Sequence, residues 1–264
     1  MTYKDHASYL REWVEFHLLV GIERMYLYDN GSSDDHEEVL APYVEEGTVV
    51  LHHWPGLLRR HAALNHCVDT YKQDARWIAM FDVDEFLFSQ EGTPVPDVLR
   101  DFEEFPGVGI NLVLFGTSGH VTRPEGLDIE NYLYRGKGKG AKWIKSIIDP
   151  SRTIRCVGGH NFVYESGQAV DLHKQPIESW LSETYIDSPL RLNHYYTKSL
   201  EELQAKFATP RPDNGELRPP VDLEKLARQE ARHIRDEAIL MYLPQLKAAL
   251  ARRDQQAESV GAGD

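Results

Sequence analysis

Two carboxylates, Asp82 and Asp84, stand two residues apart at the end of a short apolar run, Trp77-Ile-Ala-Met-Phe81. Carboxylate oxygens suit hard divalent cations such as Mn2+ or Mg2+, which are commonly shared between one or two carboxylates and a substrate's phosphates. An Asp-x-Asp triplet is also common on solvated turns, so its setting decides. At the end of a buried strand it falls where open α/β sheets bind ligands. Leu192-Asn-His-Tyr-Tyr-Thr-Lys-Ser199 offers a second pair of groups. The neutral imidazole of His194 can complete a metal site, and Lys198 can neutralise a diphosphate. The alternative for His194 is a hydrogen-bonded core histidine. Tyr28-Asp-Asn-Gly-Ser-Ser-Asp-Asp35 is a third segment. Asp29 and Asn30 can hydrogen-bond a nucleobase or ribose, or can simply close the turn. Arg135 to Lys145 carries five cations, Lys142 and Lys145 among them, and three glycines with no acid. It reads as a mobile loop over phosphates or as a solvated loop.

The elements that must hold these groups follow from periodicity. Leu10, Trp13, Val14, Phe16, Leu19 and Val20 give a helix over 7–20, with Gly21 as its cap. Arg24–Tyr28 and Thr48–Trp54 read as strands. Between them Ser33 or Asp34 caps a helix ending at Gly47, and Arg60–Gln73 is helical. The nearly continuous apolar run at 77–81 predicts a central parallel strand covered on both faces. Helix and strand alternate through residue 106, the signature of a doubly wound sheet. Further strands are expected at 108–115, 145–148, 153–157, 161–165 and 190–197. Ser199 and Glu202 form a capping box that opens a helix to Phe207. Four prolines mark 210–220 as a linker. Leu223–Arg253 reads as one long amphipathic helix kinked at Pro244, followed by ten irregular residues. The expected division is 1–208 as a body (halves 1–106 and 107–208), 209–222 as linker and 223–264 as helix and tail.

The chain has 264 residues with 29 basic and 42 acidic side chains, a net charge of −13. All of the excess lies in residues 1–106, which hold 8 basic and 21 acidic groups. Such a chain repels a phosphate backbone, so a nucleic-acid partner is not expected. Two cysteines make no disulfide framework, and no apolar run is long enough to cross a bilayer. A cytoplasmic location is the expectation. No phosphate-binding loop of the Gly-x-x-x-x-Gly-Lys type, dinucleotide fingerprint or Gly-x-Ser-x-Gly elbow occurs. Asp-Val-Asp-Glu-Phe partly resembles the aspartyl-phosphatase pattern of the haloacid dehalogenase type, but has Phe86 where that pattern needs Thr or Val.

Taken in order, Lys4-Asp-His-Ala-Ser-Tyr-Leu-Arg-Glu-Trp13, Tyr26–Asp34, Trp77–Leu87, Phe115-Gly-Thr-Ser-Gly119 and Asn193–Ser199 resemble glycosyltransferase family 92 and its bacterial relatives near family 2. The resemblance runs from Lys4 to about Lys206. It implies a GT-A-like fold, a doubly wound mixed α/β sheet with helices on both faces and a long C-terminal helix. It further implies a divalent metal (Mn2+ or Mg2+), a nucleotide-sugar donor, a glycan or other saccharide acceptor, and inversion at the anomeric carbon. Carried over, Asp84 binds metal, Asp82 binds ribose or metal, and His194 faces metal or diphosphate. Lys198 then lies on phosphate, Lys142 and Lys145 steady the leaving charge, and Asp29 and Asn30 sit near the nucleoside. The general base that inversion requires falls among Glu125, Asp128 and Asp171. The family has an apolar first strand before the position of Lys4, so the expectation is a sheet lacking that strand. Two other readings stay open: a catalytically impaired nucleotide- or glycan-binding module, and a phosphohydrolase with Asp82 as nucleophile.

Overall fold

Residues 1–56, 59–137, 142–158, 160–211 and 215–261 are described by a computed structural model. Thr2–Tyr3 (β1), Met25–Asp29 (β2) and Val49–His53 (β3) form a parallel sheet in the order β1-β2-β3. They are linked by helices Ala7–Leu19 (α1) and His36–Glu45 (α2). The edge expected to be bare beside β2 is therefore occupied. Thr2 and Tyr3 pair with Tyr28 and Asp29, and Tyr28 donates its amide to the Met1 carbonyl at 2.8 Å. Asp34 does not cap α2 as expected. Its Oδ2 accepts the Ala7 amide at 2.7 Å and so satisfies a free donor in the first turn of α1.

Helix Arg60–Tyr71 (α3) leads into Ile78–Ala79 (β4), Glu85–Ser89 (β5), helix Val95–Leu99 (α4) and Gly107–Leu114 (β6). Helix Asp128–Asn131 (α5) and Tyr134–Arg135 (β7) follow, then Ile144–Ile148 (β8), Thr153–Val157 (β9), Asn161–Tyr164 (β10) and Leu190–His194 (β11). A second, five-stranded sheet has the order β4-β8-β6-β11-β5. Only β6 and β11 pair in parallel; the other pairings are antiparallel. The apolar run 77–81 is thus a two-residue edge strand, not a central parallel one. It is continuously apolar because both its faces are covered. Ile78 and Met80 enter a core with α3, while Phe81 and Val83 enter the larger core with α1. The strand β5 was not foreseen, and the expected single sheet is two sheets with small hairpins beside them. The strand directions bring the ends of β4, β6 and β11 and the starts of β5 and β8 to one edge.

Beyond helix Leu200–Ala208 (α6) the expected long helix is broken. Leu223–Glu230 (α7) stops, Ile234–Arg235 (β12) pairs with β7, and Leu243–Gly261 (α8) begins afresh. Pro244 stands in the first turn of α8, where its missing amide costs nothing, so it starts a helix and kinks none. The break has a tertiary cause. Asp236 receives the Nε of Arg135 at 2.5 Å and Nη2 of the buried Arg191 at 2.8 Å. α8 lies on α1, where Arg253 meets Glu15 at 2.7 Å and also Glu46, and Arg11 meets Asp254 at 2.6 Å. The helix runs into the stretch expected to be irregular; residues 262–264 lie outside the described residues.

Candidate active site

The turn between β4 and β5 carries Asp82 and Asp84, and α1 fixes it. The indole Nε1 of Trp13 donates to the carbonyls of Asp82 (3.1 Å) and Glu85 (3.0 Å). The amide of Asp82 donates to Glu85 Oε2 at 2.8 Å, and the Tyr195 amide donates to the Asp84 carbonyl at 2.8 Å. Phe81 and Val83 are buried, which holds the turn by alternate residues.

Cations from three separate elements converge on this turn. Arg60 of α3 places Nη2 at 2.9 and 3.0 Å from the two oxygens of Asp82. Lys145 of β8, itself buried, bridges Asp82 (2.5 Å) and the fully buried Glu85 (3.0 Å). Lys206 of α6 donates to Asp84 Oδ2 at 2.8 Å and to the Tyr196 carbonyl at 3.1 Å. Its ammonium lies 3.9 Å from the centre of the Tyr196 ring. Burial alone would push all three carboxyls up in pKa. For Asp82 the charges of Arg60 and Lys145 outweigh burial and hold it far below the usual range. For Asp84, Lys206 and His194 do the same. For Glu85 burial wins, helped by Asp82 and Asp84 against Lys145, and the carboxyl is raised.

Donor atoms of Asp84, Glu85 and His194 lie within 4.8 Å of one another. His194 stands opposite Glu85 across the β11–β5 pairing. Its Nε2 is 3.5 Å from Asp84 Oδ1, and its Nδ1 is 3.8 Å from Glu85 Oε1. The latter gap is too long for a hydrogen bond, and both atoms are buried without a partner. Two carboxylates and an imidazole, with Glu85 Oε1 and His194 Nδ1 unmet, fit a divalent cation such as Mn2+ or Mg2+. The expected ligand set changes in one member. Asp82 is turned toward Arg60 and Lys145, and Glu85 stands in its place. With both oxygens of Asp82 held by cations, the arrangement also departs from that of a nucleophilic aspartate.

The other expected site residues divide between the crevice and the scaffold. Lys198 has φ 49°, a left-handed conformation that is strained for a side chain of this size. Its ammonium is 2.7 Å from Asp128 Oδ2 and 3.1 Å from the centre of the Tyr9 ring, so Lys198 and Asp128 are taken up by each other. Next to them the buried Glu12 accepts the amides of Asp128 (2.8 Å) and Ile129 (3.1 Å) at the start of α5. Burial, then the charge of Asp128, pushes its carboxyl up to about 8. Asp29 is buried and accepts the amides of Ser32 (2.8 Å) and Gly31 (3.2 Å), closing its own turn. The adjacent Asn30 keeps a buried Oδ1 without a partner. Asp171 accepts the amides of His173 and Gln175, each at 2.9 Å, and is likewise bound in a turn. Glu125 is exposed, and so is Lys142. Residues 138–141 of the basic segment lie outside the described residues, while Lys145 is a buried partner of carboxylates and no part of a solvated loop.

Sequence reasoning missed Arg60, Glu85 and Lys206. For Glu85 there was a signal: an acid opening the apolar stretch Glu85-Phe-Leu-Phe88 needs a partner once buried. Arg60 and Lys206 sit on helices whose orientation toward the turn depends on packing. It also missed two groups from the C-terminal segment. Glu230 accepts the amide and hydroxyl of Thr117, both at 2.5 Å. A Cβ on Gly116 would stand 2.5 Å from Glu230 Oε1 and 2.7 Å from His233 Nδ1, so only glycine allows this approach. His233 keeps that nitrogen buried and unpartnered, and burial lowers its pKa.

Two sheets with an ionic cluster where the strands end define an α/β protein. The chain belongs to glycosyltransferase family 92, whose sequence profile matches residues 1–213. A family 92 protein of Arabidopsis thaliana is 26% identical over 217 residues, covering 77% of this chain and 35% of that protein. One from Oryza sativa subsp. japonica is 32% identical over 126 residues, 46% of this chain and 22% of its own length. The galactan β-1,4-galactosyltransferase GALS2 of Arabidopsis thaliana is 30% identical over 106 residues, 36% of this chain and 20% of its own. The chain therefore spans between 20% and 35% of the length of these relatives. Among solved structures, S. aureus TarS aligns with 47% of this chain at 10% identity and a TM-score of 0.32.

Proposed function

We propose that the chain is a metal-dependent, inverting glycosyltransferase of GT-A type, moving a hexose from a uridine diphosphate-linked donor to a saccharide hydroxyl. The observation that carries this reading is the convergence of Asp84, Glu85 and His194 at the strand-end crevice, with Glu85 Oε1 and His194 Nδ1 buried and unpartnered. When bound, Mn2+ or Mg2+ would supply Lewis-acid charge to the leaving diphosphate. Asp84, Glu85 and His194 are the residues to hold it. Arg60 and Lys145 fix Asp82 and Glu85 in place, and Lys206 brings a positive charge that a phosphate can share. Asn30, at the end of β2, is the group offered to the nucleoside. The acceptor side is assigned to the wall at Gly116 and Thr117. There His233 stands neutral and able to take the proton of an attacking hydroxyl. Galactose is the first sugar to try, because GALS2 is named for galactosyl transfer to galactan.

The test is calorimetric titration of uridine diphosphate with and without Mn2+, followed by assay of transfer from UDP-galactose to β-1,4-galactan oligosaccharides. Binding that requires Mn2+, with sugar transfer, is the expected result. Metal-dependent binding without any transfer from a panel of UDP-sugars would favour the binding module. Binding indifferent to metal would overturn the assignment of Asp84, Glu85 and His194.

A further inference from the structure

The carboxylates of the crevice are already matched by cations. Asp82, Asp84 and Glu85 face Arg60, Lys145 and Lys206 through contacts of 2.5 to 3.0 Å. The three cations are not equivalent. Lys145 is buried between two carboxylates, and Arg60 spans both oxygens of Asp82. Lys206 touches only Asp84, the carboxylate that also faces His194, and its side chain is the most exposed of the three at 31%. It hangs from α6 at the rim of the crevice, and the Tyr196 carbonyl and ring give its ammonium a second resting place.

We infer that Lys206 is a positioning residue that couples the metal to the diphosphate: it occupies Asp84 until both arrive together. This rests on the metal reading given above. A bare divalent cation entering the crevice adds charge to a group of residues already balanced, and must displace or repel the ammonium on Asp84. A nucleoside diphosphate carries more negative charge than the cation carries positive, so the pair together reverses that penalty. Released from Asp84, Lys206 can turn to the phosphates, a movement its long and half-exposed side chain permits. Binding of the two ligands is then mutually dependent, and the linkage is reciprocal: each tightens the other by the same factor. His6 and Lys198 lie close enough to feel the same charges, but Lys198 is held by Asp128.

The experiment measures free Mn2+ by electron paramagnetic resonance during titration of the full chain, with and without uridine diphosphate. Wild-type protein is expected to bind Mn2+ weakly alone and at least ten times more tightly with uridine diphosphate. In Lys206→Met, Mn2+ alone should bind several-fold more tightly than in wild type, and the enhancement by uridine diphosphate should fall several-fold. Lys206→Arg, which keeps the charge, should retain most of the enhancement. A melting curve for each variant shows that the fold is kept. Unchanged or weaker binding of Mn2+ alone in Lys206→Met, with the enhancement intact, would overturn this inference and leave the metal assignment standing. Absence of Mn2+ binding to wild type in both conditions would overturn both.

Discussion

The turn after β2 and the turn after β4 each end a strand with acidic side chains. They are built differently. Asp29 spends its oxygens chiefly on amides of its own loop, Ser32 and Gly31, with the exposed ring of His53 at 3.3 Å and His36 at 3.8 Å as weaker neighbours. Asp82 and Asp84 spend theirs on side-chain cations from α3, β8 and α6. A carboxylate bound to its own backbone is part of the turn, because removing it strands buried donors. A carboxylate bound by side chains on other elements can exchange those partners for a ligand without loss of the local fold. The distinction separates scaffold from site more sharply than residue type does.

Four substitutions bear on that contrast, from the largest expected effect to the smallest. Asp84→Asn should lower the Mn2+-dependent affinity for uridine diphosphate by about 100-fold or more, the order seen when a charged, desolvated partner is lost. Its melting curve should stay near that of wild type; a loss of stability with nucleotide affinity intact would place Asp84 with Asp29. Trp13→Ala should cost about 3–5 kcal/mol in urea unfolding, since it deletes a large core side chain. The milder Trp13→Phe removes chiefly the two indole hydrogen bonds to the second turn, about 1–3 kcal/mol. Asp29→Ala should destabilise by about 1–3 kcal/mol through the two amides it leaves unmet, while metal-dependent nucleotide affinity changes little. A large loss of affinity would show that Asp29 also faces the nucleoside.

A pH-dependent effect concerns Glu12, a carboxylate that binds backbone amides yet sits beside Asp128 and Lys198. Its pKa is pushed up to about 8 in the folded chain by burial and by Asp128, against about 4.3 when exposed. Between those values the folded state holds the proton that the unfolded state has released. Stability contributed by this group is therefore greatest at low pH and falls as pH rises toward 8, by at most about 1.4 kcal/mol per unit. Urea midpoints from pH 5.5 to 8.5 should decline, and Glu12→Gln should flatten the decline. An equal slope in the variant would assign it to other groups.

What the sequence showed of the fold was largely what is encoded locally. α1, β2, β3, α3, β6, β9 and the capping box of α6 follow from spacing and cap residues, and they lie close to where those signals put them. The failures have long-range causes. Residues 231–237 interrupt a stretch of helical composition, because pairing with β7 and the clamp of Asp236 on Arg135 and Arg191 draw them out of a helix. At the site, the approach of Asp84 and His194 was legible because few residue types could hold a divalent cation and both carry such groups at strand ends. Glu85 was hidden as a neighbour of the motif, and the pairing of Asp82 with Arg60 and Lys145 was not foreseen. Which helix presents a cation to which carboxylate is a matter of packing, and periodicity carries none of it.

The closure of α8 over α1 has a consequence for the life history of the chain. Glu15 and Phe16 are buried early in the sequence, and their partners Arg253 and Tyr242 come more than 200 residues later. During synthesis, the first helix leaves the ribosome long before the last is made. The early segment also carries the whole net negative excess, with two of its neutralising lysines, Lys145 and Lys206, still to come. Contacts of such wide separation slow folding, since the loop must close before the contact can reward it. This part of the nascent chain should accordingly remain open, and dependent on protection from aggregation, until α8 has been made.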